Sequence, residues 1–270
     1  MDTKTALKTF YQEVGEKYPE EEKVYHTLRG WLRRRFVLEH LQTWNGSLLD
    51  VGCNRGMYLI AYQGGPRFGV DLSLNALRHA PRGHHLHLLQ GDAERLHCLR
   101  AEQFSHVLCS EVLEHCLHPE AVFAGIAHVL RPGGTALLTT PNYRGERPQW
   151  IELGVLQEYG IGCECHEGYF HTAYRPEELA EMARASGLDV RRSGTLEKEV
   201  KYAAKVPAAV LLAVRQVNRI FRSSGLDHYN EIFFNHFTMA IYRFCHFTGL
   251  EKLMLPFIRE GVRSFIIMSK

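Results

Sequence analysis

Residues 48–56 read Leu-Leu-Asp-Val-Gly-Cys-Asn-Arg-Gly, and no other stretch restricts the fold of this chain as much. The run from Ser47 to Gly52 reads as a buried strand, and a glycine turn joins it to a helix. A turn of that kind lets a ligand approach the backbone and offers it free amides. From there strand and helix patterns alternate. Strand patterns follow at Arg67–Asp71, His84–Leu89, Phe104–Ser110, Thr135–Thr140, Leu188–Gly194 and Val262–Met268. Helix patterns lie at Met57–Gln63, Asn75–Ala80, Pro119–Leu130 and Pro176–Ser186. Pro119 and Pro176 suit a first helical turn. Pro132-Gly133-Gly134 signals a stop and turn before the next strand. The alternation predicts an α/β fold, a mostly parallel sheet with helices on both faces.

Three segments stand apart from the alternation. Residues 3–44 read as helical and predict an N-terminal cap over 1–45. Residues 142–170 form a long connection. Residues 197–260 predict a helical insertion before the last strand, far longer than the usual connection of about 4–6 residues. The core is then expected at 46–196 plus 261–270. A composition of 45% hydrophobic and 23% charged residues is that of a globular chain. A net charge of +2 is too mild for a dedicated nucleic-acid binder, and no DNA partner is expected. Seven scattered cysteines and an N-terminus without an apolar signal core predict a reducing, cytoplasmic setting.

Asp71 closes the second strand about 20 residues after the glycine turn, where a carboxylate can accept both hydroxyls of a ribose. The dinucleotide pattern G-x-G-x-x-G does not fit, because Gly56 comes one residue early and Met57 fills the place. Six motifs instead occur in order: LLDVGCNRG (48–56), FGVDLS (68–73), GDAERL (91–96), FSHVLCSEVLEHC (104–116), VLRPGGTALLTTPN (129–142) and YRPEEL (174–179). Together they resemble the class I S-adenosylmethionine-dependent methyltransferases, in the branch containing ubiquinone-type O-methyltransferases. The resemblance implies a Rossmann-like fold with a seven-stranded sheet and S-adenosylmethionine as cofactor. It implies that Gly52, Cys53 and Gly56 line the methionine part, and that Asp50 fixes the loop and the amino group. Asp71 would hold the ribose, Leu72 the adenine, and Asp92 the adenine amino group, with the Ala93 backbone against the ring. Ser110 and Glu111 would border the transfer centre. Two positions depart from the pattern: Asn54 stands at the middle glycine, and Ser105 replaces the usual Asp. Asn tolerates a left-handed backbone, so the turn survives.

A sulfonium methyl is already electrophilic, so the enzyme mainly aligns the acceptor and excludes water. A hydroxyl acceptor also benefits from a base, typically His. His171, after the fifth strand, is the first candidate and His115 the second; His118 and His166 are further loop histidines. Glu111-x-x-Glu114-His115 also resembles a divalent-ion motif of small-RNA 2′-O-methyltransferases and some quinone O-methyltransferases. Carboxylates with imidazole suit Mg²⁺, Mn²⁺ or Zn²⁺. The expectation is nevertheless transfer without a metal. Cys163-x-Cys165-His166 lacks a second thiol pair and reads as an ordinary loop.

The insertion carries an apolar stripe, Val210, Val214, Val217 and Phe221, beside basic Arg215, Arg219 and Arg222. A second helix brings Phe233, Phe237 and Phe244. A packed cap, a lid over a lipophilic acceptor with peripheral contact to an anionic membrane, and a dimer interface are all compatible with this pattern. The chain is expected as monomer or homodimer. The leading expectation is O-methylation of a small apolar or aromatic acceptor. An RNA-modifying methyltransferase and a non-catalytic cofactor-binding scaffold are the alternatives.

Overall fold

A computed structural model of the chain describes residues 3–19, 23–143, 147, 150–153, 155–162, 168–221 and 223–270. Its contacts divide into two units: Met1–Pro19 with Val37–Gly194 and Arg263–Lys270, and Glu20–Phe36 with Thr195–Val262. In chain order the elements used below are α1 (Thr3–Lys17), α2 (Leu28–Leu41), β1 (Leu48–Val51), α3 (Met57–Ala61), β2 (Arg67–Asp71), α4 (Leu74–Arg78), β3 (Leu86–Gln90), β4 (Phe104–Ser110), α5 (Pro119–Val129), β5 (Leu130–Pro141), β6 (Trp150–Glu152), β7 (Gly168–Phe170), α6 (Pro176–Ala185), β8 (Asp189–Leu196), α7 (Lys205–Phe221), α8 (Ser224–Thr248) and β9 (Arg263–Ser269).

In the first unit seven strands form one sheet in the order β3-β2-β1-β4-β5-β9-β8. β1 pairs in parallel with β2 and β4, and β4 with β5, while β9 runs antiparallel to β5. All four residues of β1 are buried, as a parallel strand covered on both faces demands. Leu49, Val51, Val107, Cys109 and Leu138 pack with Val122, Phe123 and Ile126 of α5. Each such buried side chain contributes about 1.5–3 kcal/mol. The strand order reverses between β1 and β4, and in such sheets ligands bind outside the carboxyl ends of the strands at that switch point. This is the Rossmann-like fold expected.

Among the described residues the helical reading of 3–44 holds in α1 and α2, and Pro19 lies between them; proline cannot continue a helix and also turns its predecessor away from it. Two expectations are corrected. The connection 142–170 carries a small antiparallel pair, β6 with β7. The strand expected at Thr135 begins at Leu130, and the Pro132-Gly133-Gly134 stop lies in an irregularity where the β4–β5 register shifts. Gly133 there has φ 74.

In the second unit, Leu28 and Leu32 pack with Val200, Ala203 and Tyr242. α7 and α8 form a hairpin whose turn is tied by Asn218: its Nδ2 donates to the Ser223 carbonyl at 2.7 Å, and its Oδ1 accepts the Ser223 amide at 2.9 Å. Phe233 and Phe244 are exposed, so they do not wall an enclosed pocket within this unit.

Candidate active site

The glycine turn has the backbone its sequence requires. Gly52, Asn54 and Gly56 all adopt positive φ, at 71, 49 and 84°. The Gly52 amide donates to the Val70 carbonyl at 2.7 Å. A Cβ on Gly52 would lie 2.2 Å from Val112 Cγ2. Gly52→Ala therefore adds strain and a clash with a stiff β-branched side chain. It is expected to destabilise the protein by about 1–3 kcal/mol. An unchanged urea midpoint would contradict this description of the turn.

Asp71 connects this turn with the next one. Its Oδ2 accepts the Asn54 amide and its Oδ1 the Ser73 amide, each at 2.8 Å. Asp50 is 3% exposed. Burial first, and then the Asp71 charge, push its carboxyl well above the usual carboxylate range. A buried acid pushed up by a neighbouring carboxylate favours a nearby cation. Burial raises the Cys53 thiol, so it packs as a neutral group.

The far wall is built from β2 and β3. The Leu72 carbonyl accepts from Gln12 and Gln90, each at 3.1 Å. Asp92 caps the turn that begins at Ala93, its Oδ1 accepting the Glu94 amide at 2.9 Å. Its Oδ2 pairs with Lys4 of α1 at 2.9 Å. Glu94 holds the same lysine and accepts the amides of Leu117 and His118. The Lys4 contacts were not foreseen, since nothing in the sequence ties α1 to that turn.

β4 ends at Ser110, and Glu111 follows it. Their side chains meet through Thr139: its Oγ1 lies 2.9 Å from Ser110 Oγ and donates to Glu111 Oε1 at 2.9 Å. Glu111 has φ 60 and is ion-paired with Arg263 at the start of β9. It therefore stands outside the group formed by its neighbours. Glu114 is 1% exposed and accepts from Thr140 Oγ1 at 3.2 Å. Its own carbonyl accepts the Thr172 amide at 2.9 Å, which brings the segment after β7 back to β4.

That contact unites His115 and His171. Their ring centroids are 5.1 Å apart. Donor atoms of Glu114, His115 and His171 all lie within 4.8 Å of one another, a set able to hold a metal ion. Tyr11 meets His115 edge-on at 5.4 Å, and Tyr169 and Tyr143 flank His171 at 5.9 and 6.1 Å. Burial, then the neighbouring His171, lowers His115 to about 3. Burial lowers His171 to about 4. Both imidazoles are neutral at pH 7. The Nδ1 of His171 is buried with no partner among the described residues beyond its own backbone. His118 is exposed and apart from this group. His166, Cys163 and Cys165 lie outside the described residues.

A family described as a methyltransferase domain matches residues 21–193. Among curated proteins, the chain is 30% identical over 172 residues to a ubiquinone biosynthesis O-methyltransferase of Nitrosospira multiformis, covering 59% of this chain and 70% of the relative. A protein of the same name from Methylococcus capsulatus is 32% identical over 169 residues, with 59% and 70% covered. Solved structures share the fold. The 1,6-didemethyltoxoflavin-N1-methyltransferase of Burkholderia thailandensis aligns at TM-score 0.53 and 20% identity, over 70% of this chain and 80% of that one. Phosphoethanolamine N-methyltransferase 2 of Haemonchus contortus aligns at 0.53 and 17%, over 97% and 57%.

Proposed function

Because this chain belongs to the methyltransferase-domain family and is a class I S-adenosylmethionine-dependent methyltransferase, we propose that it methylates a hydroxyl oxygen of a small aromatic or apolar acceptor. The observation that carries this reading is the pair of neutral imidazoles, His115 and His171, held among Tyr11, Tyr143 and Tyr169 beside the end of β4. Aromatic walls suit a flat acceptor, and a neutral imidazole can take the proton of a hydroxyl. The name shared by the curated relatives adds support for oxygen.

The residues fit the cofactor. When bound, S-adenosylmethionine supplies a sulfonium methyl group that is electrophilic without further activation. Asp50 and Asp71 form an acidic seat suited to its cationic amino acid end and its ribose hydroxyls. Gly52, Cys53 and Gly56 keep the adjoining turn open to the methionine part. Leu72, Asp92 and Ala93 form the adenine wall, where Asp92 shares its carboxylate with Lys4. Ser110 and Glu111 border the transfer centre, with Arg263 fixing Glu111 in place. The His171 imidazole accepts the acceptor proton, and His115 positions the His171 ring.

A second reading follows from the 4.8 Å grouping of Glu114, His115 and His171. Neutral imidazoles and a carboxylate suit a divalent ion, which would supply Lewis-acid stabilisation of an acceptor oxygen. Full activity in a chelator is the expected result. Loss of activity, restored by Mg²⁺, Mn²⁺ or Zn²⁺, would replace the base with the ion. A panel of small phenols, small amines and structured RNA tests the acceptor class. Turnover with phenols and none with RNA is expected, whereas turnover with RNA alone would overturn the reading.

A further inference from the structure

Glu111 is the first residue past β4 and has an uncommon backbone. Its φ of 60 lies in the left-handed region, where a residue with a Cβ stays only if its surroundings hold it. It is held from β5 and β9. The Glu111 amide donates to the Thr139 carbonyl at 3.0 Å, and Thr139 Oγ1 donates to Glu111 Oε1 at 2.9 Å. Arg263, the first residue of β9, pairs with Glu111 Oε2. Thr139 is wholly buried, and the Arg263 and Glu111 side chains are only 11% and 16% exposed, so solvent screens this pair weakly.

The anchored residue opens a short turn that reaches two walls of the site. Val112, next in the chain, sets its Cγ2 methyl 2.2 Å from where a Cβ on Gly52 would lie. That methyl rests on the glycine turn, which is read above as seating the methionine end of the cofactor. Leu113 is fully buried in the core. The His115 amide then closes the turn on the Val112 carbonyl at 3.0 Å, and Thr140 Oγ1 holds Glu114. The His115 ring meets His171. Residues 111–115 thus run from the donor side of the site to its histidine pair.

Methyl transfer depends on the distance and angle between donor and acceptor, and a displacement of about 1 Å can cost about a hundredfold in rate. A turn that touches both sides sets that distance. The residue at its head is also the one held away from ordinary backbone. Without the Arg263 charge, Glu111 relaxes toward that ordinary backbone, and Val112 and His115 shift with it.

We propose that Arg263 is a positioning residue for methyl transfer: by holding Glu111 at positive φ, it fixes the 111–115 turn between the glycine turn and the histidine pair. It touches no reacting group and acts through Glu111. The proposal rests on the reading that places the transfer centre beside the end of β4. Arg263→Met is expected to lower kcat about tenfold to a hundredfold, with S-adenosylmethionine affinity and acceptor KM within about threefold of wild type. Arg263→Lys keeps the charge and should recover most of the loss. The acceptor used is whichever of the phenols, amines and structured RNA the wild type methylates fastest, so the oxygen reading can fail without deciding this one. Removing one charge of a nearly buried pair destabilises by itself, so Arg263→Met with Glu111→Gln removes both. In that double variant thermal unfolding should return toward wild type while kcat stays low. The Val112 methyl resonance, in protein with labelled valine methyl groups, needs no acceptor and is assigned by its absence in Val112→Ala. It should shift in Arg263→Met and move back in Arg263→Lys. Recovery of kcat together with stability in the double variant would overturn the proposal and leave the ion pair as a fold contact alone. So would a kcat within about twofold of wild type in folded Arg263→Met, or an unmoved Val112 resonance.

Discussion

Replacing His171 with asparagine is expected to lower kcat by about a hundredfold to ten-thousandfold, the range for losing a positioned proton acceptor. Affinity for S-adenosylmethionine should not change, because His171 belongs to the segment after β7 and not to the glycine turn. His118→Asn is the matched control, since His118 is exposed and outside the cluster. The same residue predicts a pH signature. Burial holds His171 near 4 and His115 near 3, below the ordinary imidazole value of about 6.5. An unfolded chain therefore takes up protons at these sites before the folded one does. The associated stability is complete above about pH 6.5 and is lost as pH falls through that value toward 4. Denaturation midpoints measured across this window should fall with acid in the wild type and fall less in the variant. A kcat within twofold of wild type would remove His171 from the reaction.

Asp71→Ala is expected to weaken S-adenosylmethionine binding by about 1–3 kcal/mol. The carboxylate orders two turns at once through the amides of Asn54 and Ser73, so its loss strips those donors as well as the ribose acceptor. Asp71→Asn retains one acceptor oxygen and should fall between wild type and alanine. Calorimetric titration of the folded variants measures both. Unchanged affinity in Asp71→Ala would remove this residue from the cofactor site.

The sheet was legible because its strands carry their own punctuation. Arg67–Asp71 and Phe104–Ser110 were bounded as the structure has them. Asn54 kept the turn, with φ 49 in the left-handed region that Asn tolerates. Ser105 took over support that a carboxylate was expected to give: its Oγ accepts the Ser47 amide at 3.1 Å. Other features were hidden because they depend on distant partners. β6 and β7 are three residues each in a stretch rich in Gly, Cys and His, too short for a period to register. Pro19, followed by three glutamates, was a readable break in the N-terminal helical pattern. Arg263 was an overlooked signal of another kind, a charge opening an otherwise uncharged strand, and its ion pair with Glu111 joins residues 152 positions apart. His115 and His171 were chosen singly as loop histidines. Their approach to each other, and to Glu114, follows from the Thr172–Glu114 backbone contact, which no local pattern encodes.

Methyl transfer from S-adenosylmethionine carrying an isotopically labelled methyl group to a small phenol tests the central claim most directly. Product analysis by nuclear magnetic resonance locates the label. The label on the phenolic oxygen, with transfer collapsing in His171→Asn and persisting in chelator, is the predicted result. Label on ring carbon, or transfer that is indifferent to His171, would contradict it.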